Sequence, residues 1–212
     1  MALEKATRID EKYEIIAKIG KGAYSNVYKA FNVCKSSDSE ENKAMCIKIA
    51  LNPKVSLSHE YLVSNEIGHH NNLMYFNDFG SFKMLENSTQ MYKDYDYVVS
   101  DLMPNGDMFR LVSNNSFDEN CARYLFKKTL KGVEYMHDSG YVHLDIKLGN
   151  ILLDHNYEPK LTDFGFTTRT AEDGLLKSED LPKKGTKRYM CPEIENDGEF
   201  DARLADVFSL GV

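Results

Sequence analysis

The sequence predicts an α+β fold in two successive parts: a small, mostly antiparallel sheet with one helix, then a mainly helical part. Three observations carry this. Apolar runs with strand character recur over 13–19, 44–49, 73–82 and 95–100, separated by polar or glycine-bearing turns, with one helical stretch at 57–68 among them. Pro104-Asn105-Gly106 then breaks regular structure. Beyond it Ala122, Leu125, Phe126, Leu130, Val133 and Met136 recur at three- and four-residue steps, the stripe of a core helix over about 119–137.

Composition narrows the classes. The 212 residues carry a formal charge of −7, enough chain for one or two modest domains and the wrong balance for a nucleic-acid binder with its basic stripe. Met1 to Asp10 is charged and lacks the apolar run of a signal peptide, and no apolar stretch approaches the ~20 residues of a membrane helix. Cys34, Cys46, Cys121 and Cys191 are scattered, which argues against a disulfide framework or zinc site and for a reducing compartment. There is no internal repeat.

In the first part, Gly20 and Gly22 permit a tight strand-turn-strand whose backbone N–H groups approach phosphates closely. Alone, the pair suits any hairpin turn. No G-K-[ST] follows, so this is not a Walker P-loop. The stretch 35–43 is a solvated connection, and Ala44-Met-Cys-Ile-Lys48-Ile49 is the next strand. The helix at 57–68 offers two carboxylates, Glu60 and Glu66, and 86–94 reads as a solvated loop. Asp118 or Ser116 caps the helix of the second part, and Asp138-Ser-Gly140 ends it.

Next comes Tyr141-Val-His-Leu-Asp-Ile-Lys-Leu-Gly-Asn150. An aspartate stands two residues before a lysine and five before an asparagine. Asp145 can accept a proton, Lys147 can neutralise a phosphate, and the amide oxygen of Asn150 can hold a metal. Leu161-Thr-Asp-Phe-Gly165 adds a second carboxylate, Asp163, before a flexible glycine. One carboxylate to orient a hydroxyl and one to hold magnesium is the minimum set for moving a phosphoryl group.

These two motifs resemble the catalytic loop and D-F-G element of eukaryotic protein kinases. The resemblance covers residues 13–212 and implies a bilobal fold: 1–12 an N-terminal extension, 13–102 the sheet lobe, 103–212 part of the helical lobe. It implies ATP and Mg2+ as cofactors. Ile19, Gly20, Lys21, Gly22, Ala23, Tyr24, Ser25, Asn26 and Val27 would cover the nucleotide, with Ser25 in place of the third glycine. Lys48 would clamp the α- and β-phosphates. Cys46 and Leu152 would form the ceiling and floor of the adenine pocket. The backbone of Asp101 and Met103 would read the base, Ser100 would be a small gatekeeper, and Asp107 would meet the ribose and attract basic substrates. Glu60, by its spacing before His69-His-Asn-Asn-Leu73, would pair with Lys48, whereas Glu66 would be a surface charge. Asp145 would take the acceptor proton and Lys147 would stabilise the transferring group. Asn150 and Asp163 would hold magnesium, and His143 would be buried against Phe164.

Lys147 implies a Ser/Thr enzyme. Gly185-Thr186-Lys-Arg-Tyr189-Met-Cys-Pro-Glu193 resembles the G-T-x-x-Y-M-A-P-E segment of such kinases, with Cys191 for alanine and Thr186 bonding Asp145 and Lys147. The implied partners are proteins with Ser/Thr acceptors, with no nucleic acid and no membrane. The oligomeric state is open, and the expected location is the cytoplasm or nucleus. The stretch from the helix to Asn150 is similar to calcium/calmodulin-kinase-like and AMP-activated-kinase-like enzymes. Leu144 replaces the arginine that binds an activation-loop phosphate, so phosphorylation at Thr167, Thr168, Thr170 or Ser178 is not expected to act through that clamp. Asp206 to Val212 resembles the start of the central helix, with Phe208 for tryptophan and Asp206 bonding the catalytic-loop backbone. The pattern normally continues, which predicts a C-terminally incomplete domain whose Leu152, Leu153, Phe164 and 119–137 helix are short of cover. The competing readings are a pseudokinase or scaffold, an inactive truncated fragment, and a metabolite kinase, the last disfavoured by the segment around Thr186.

Overall fold

The computed structural model describes residues 7–34, 43–86, 91–114, 118–171, 173–181, 186–195 and 198–212. The chain forms two compact units. One runs to Leu62 and resumes over Tyr75–Leu102; the other takes Val63–Met74 and Met103–Val212.

In the first unit, β1 (Arg8–Ile9), β2 (Tyr13–Lys21), β3 (Ser25–Asn32) and β4 (Met45–Ala50) precede helix α1 (Ser58–Ile67). β5 (Phe76–Glu86) and β6 (Met91–Asp101) complete a sheet ordered β1-β2-β3-β4-β6-β5, with every pairing antiparallel. Alternate residues of β3 are buried, as a sheet with one covered face requires. Ile15, Tyr28, Ala30, Ile47, Ile49 and Val99 form the centre of the core. Glycine at Gly80 admits the Tyr97 ring: a Cβ there would lie 2.6 Å from the phenolic oxygen.

Two expectations change here. Within the stretch expected as an N-terminal extension, Arg8–Ile9 form a strand that pairs with β2, and Lys12 and Tyr13 both bond Asp78, at 2.5 and 2.6 Å. The loop expected over 86–94 is mostly hairpin, paired out to Glu86–Met91; 87–90 lie outside the described residues. The hairpin outruns its core, leaving Met91 and Tyr92 exposed. Backbone bonds hold it there, so no apolar alternation marks it in the sequence. Most of the connection expected over 35–43 also lies outside the described residues, as does the alternative cap Ser116.

The second unit contains α2 (Met108–Ser113), α3 (Glu119–Asp138), β7 (Tyr141–Val142), β8 (Ile151–Leu153), β9 (Pro159–Leu161) and β10 (Thr168–Arg169). After these come β11 (Leu175–Lys177), α4 (Pro192–Glu195), β12 (Glu199–Asp201) and α5 (Ala202–Gly211). Asp118 caps α3, accepting from Cys121 N at 2.8 Å. The strand expected over 73–82 begins only at Phe76, because Leu73 and Met74 turn to Leu161 in this unit. Helix α3 buries Leu125, Thr129, Gly132, Val133 and Met136, and not the whole expected stripe: Ala122, Phe126 and Leu130 are exposed. That exposed side agrees with the expectation that this helix is short of cover. On its buried side Gly132 admits a close approach: a Cβ there would meet the Asn72 carbonyl oxygen at 2.9 Å. Leu153 and Phe164, expected to lack cover, are fully buried, and Leu152 is half-buried. No helix among the described residues is long and apolar enough to cross a membrane.

Candidate active site

A buried carboxylate holds up the loop that follows β7. Asp206, fully buried on α5, accepts from the backbone N–H groups of His143 and Leu144, both at 2.8 Å. It also hydrogen-bonds His137 Nε2 at 2.9 Å, a partner the sequence did not reveal because it sits in the last turn of a separate helix. Leu144 takes a left-handed backbone (φ 62°), a conformation costing about 1 kcal/mol or more for a branched residue, and the bond to Asp206 holds it.

His143 is fully buried, edge-on to Phe164 with centroids 5.8 Å apart. Its Nε2 faces the Thr162 carbonyl at 3.0 Å, and its Nδ1 accepts from Asp145 N at 3.2 Å. A carbonyl on one side and an N–H on the other select the neutral tautomer with the proton on Nε2.

Asp145 has only 3% of its side chain exposed. One carboxylate oxygen accepts from Lys147 Nζ at 2.6 Å and Asn150 Nδ2 at 2.9 Å. The other accepts from Thr186 Oγ1 at 3.1 Å, and that hydroxyl in turn accepts from Lys147 Nζ at 2.9 Å. A buried carboxylate is costly unless its charge is met, and the Lys147 ammonium meets it here. Four residues from two distant stretches thus form one network.

Asn150 and Asp163 are joined through the backbone. Thr162 N donates to the Asn150 carbonyl at 2.9 Å, beside the β8–β9 pairing. Asp163 then turns left-handed (φ 69°). The Asn150 amide nitrogen also donates to the Asp145 carbonyl at 2.9 Å, so its oxygen is the atom suited to a cation. A carboxylate and an amide oxygen are hard ligands that fit Mg2+. Among the described residues no cluster of three or more His, Cys, Asp or Glu forms, so waters and phosphate oxygens would complete such a shell.

In the first unit, Lys48 Nζ lies 2.7 and 2.8 Å from the two Glu60 oxygens, with both side chains largely buried. Glu66 belongs to the second unit and accepts from the Tyr141 hydroxyl. The glycine turn closes with Gly22 N donating to Ser25 O at 2.8 Å, and Gly20 packs on Val27. Ile19 and Tyr24 are about half exposed. Lys21, Gly22 and Ala23 are also exposed, whereas Ser25 and Asn26 are buried in the sheet, with the Asn26 amide on the Tyr28 hydroxyl. Cys46 pairs with Ser100 across β4 and β6. Burial pushes its thiol up to about 11, against the opposing pull of the Ser100 hydrogen bond and Lys48. Ser100 is buried, and Asp101 is exposed near Lys43.

The remaining predicted residues lie in the second unit. The Met103 carbonyl accepts from Gly106 N at 3.3 Å. Asp107 caps α2, accepting from Arg110 N at 2.8 Å, and bridges to Leu152. Of the expected phosphate acceptors, Thr167 and Ser178 are buried, and Thr168 and Thr170 are half-buried. Gly185 lies outside the described residues.

A family model described as the protein kinase domain matches residues 13–212, and the chain belongs to that family. It is similar to serine/threonine-protein kinase shk1/pak1 of Schizosaccharomyces pombe, 33% identical over 94% of this chain and 28% of the relative. To serine/threonine-protein kinase SRK2B of Arabidopsis thaliana it is 32% identical, over 95% of this chain and 52% of the relative. To CBL-interacting protein kinase 26 of Oryza sativa subsp. japonica it is 29% identical, over 99% of this chain and 40% of the relative. The chain spans about half the length or less of these relatives.

Proposed function

We propose that the chain transfers the γ-phosphoryl group of ATP to Ser or Thr hydroxyls of proteins. The observation that supports this best is the Asp145–Lys147–Thr186–Asn150 network. In this reading the Asp145 carboxylate orients the acceptor hydroxyl and takes its proton as the oxygen attacks phosphorus and the bond to ADP breaks. Lys147 meets charge on the transferring group, and the Thr186 hydroxyl fixes both side chains. Lys48, oriented by Glu60, contacts the α- and β-phosphates. Asn150 and Asp163 would hold magnesium, which would supply charge neutralisation.

The test is phosphotransfer from ATP to Ser- and Thr-containing peptides. Asp145→Asn is expected to lower kcat by about 10²–10⁴-fold with nucleotide affinity retained. Nucleotide binding without turnover in the parent would instead favour a scaffold. Transfer to small alcohols but not peptides would favour a metabolite kinase.

A further inference from the structure

Helix α1 meets the sheet through its first turn, at three points. Glu60 meets Lys48 of β4 at 2.7 and 2.8 Å. Tyr61 stacks on Phe79 of β5, with ring centroids 5.6 Å apart. The third point is Asp96 of β6. One of its carboxylate oxygens accepts from Leu57 N at 3.1 Å and from the Ser56 hydroxyl at 2.8 Å; the other accepts from the Ser81 hydroxyl at 2.7 Å. Ser56 Oγ accepts in turn from Ser58 N, the first residue of α1, at 3.2 Å. All of these residues lie in the first unit.

The strand register puts the three points on one face. On β6, Val98 lies opposite both Lys48 and Phe79, and Asp96 lies two residues away, opposite Ser81. Residues two apart on a strand share a face, and Tyr95, Tyr97 and Val99 turn the other way into the core. Aspartate is disfavoured inside a strand, yet this one sits half-buried between two buried tyrosines. The helix start explains it. The first N–H groups of a helix have no acceptor within it, and that end favours a negative charge. Asp96 supplies both from the neighbouring strand. Leu57 O accepts from Tyr61 N at 3.3 Å, so helical bonding begins at Leu57. Glu60 follows within the same turn, and fixing Leu57 therefore limits where the Glu60 carboxylate can go.

We infer that Asp96 is a positioning residue: by holding the start of α1 it sets Glu60 opposite Lys48, and so orients that ammonium. The catalytic consequence rests on the kinase reading above; the tie between Asp96 and α1 does not.

Hydrogen exchange, acetylation of Lys48 by acetic anhydride read by mass spectrometry, and peptide phosphotransfer, all on the whole chain, test the inference. Asp96→Ala is expected to speed exchange over 57–62 by about tenfold or more while β2 to β4 stay protected, because Leu57 N loses its acceptor. Lys48, no longer held by Glu60, is acetylated about threefold faster. The kcat falls by about tenfold with the KM for peptide unchanged. Asp96→Asn still accepts from Leu57 N and Ser56 and can donate to Ser81 Oγ, so it stays within about twofold of the parent in all three measurements. Ser56→Ala, at an exposed position, serves should Asp96→Ala fail to fold, and speeds exchange over 57–62 by about threefold. On a Glu60→Gln background, Asp96→Ala lowers kcat no further, since the interaction it supports is already lost. The inference is overturned if Asp96→Ala, or Ser56→Ala in its place, exchanges as the parent does. It is equally overturned if Asp96→Asn exchanges as Asp96→Ala does, or if the loss of kcat adds in full to that of Glu60→Gln. Absence of transfer in every sample, with the exchange and acetylation changes intact, removes the kinase reading and leaves the tie standing.

Discussion

Asp78 shows how one side chain ties a segment to the sheet. Burial raises its carboxyl, the largest single influence, but hydrogen bonds from Lys12, Tyr13 and the Phe79 N–H together outweigh it, and the net displacement is downward. A carboxylate with a depressed folded pKa adds stability above its unfolded value, about 4, and loses that contribution as pH falls through the folded value. Asp78→Asn is therefore expected to melt below the parent at neutral pH, with the gap closing as pH falls below the ordinary carboxylate value of about 4. A gap that stays constant on acidification would contradict the assignment. Sequence alone marked neither Asp78 nor its partners, because they sit some 65 residues apart. Lys48 and its carboxylate were easier: spacing along one helix separated Glu60 from Glu66, and each of the two meets a different partner.

At the scale of elements, α3 carries the main difference between pattern and packing. Its periodicity was legible, and so was Asp118 as one of two possible caps. Which residues face inward was legible only in part: Leu125, Val133 and Met136 of the stripe are buried, but so are Thr129 and Gly132, the latter close to the Asn72 backbone. Two effects compete at that glycine. Alanine gains about 1 kcal/mol of helix propensity. It also places a Cβ 2.9 Å from a backbone oxygen that cannot swing aside, and such overpacking costs about 1–3 kcal/mol. The steric cost wins, so Gly132→Ala is expected to lower the urea midpoint with little change in slope. An unchanged or raised midpoint would show that Val63–Met74 yields more readily than its packing implies.

For the molecule as a whole, the catalytic loop depends on Asp206. It satisfies two backbone N–H groups beside the catalytic aspartate and has no exposure to solvent. Each amide left without an acceptor costs about 1–3 kcal/mol, against a domain stability of about 5–15 kcal/mol. Asp206→Ala is expected to make amide exchange over 141–150 fast while β2 to β4 in the other unit remain slow. Protection retained over 141–150 would refute this role.

The sequence by itself determined what is local. Asp145, Lys147 and Asn150 fall within six residues, the glycine turn within three, and the strand and helix classes follow from short-range periodicity. Chemistry of that kind can be read because the chain has no room to rearrange it. Only the tertiary structure decided what depends on distant contacts. It brought His137 onto Asp206 and Lys12 and Tyr13 onto Asp78, set the Asn72 backbone close to Gly132, and packed Leu144 against an apolar cluster. The physical reason is that burial and hydrogen-bond satisfaction are settled over the whole core at once, and a partner many residues away leaves no periodic trace near the residue it completes.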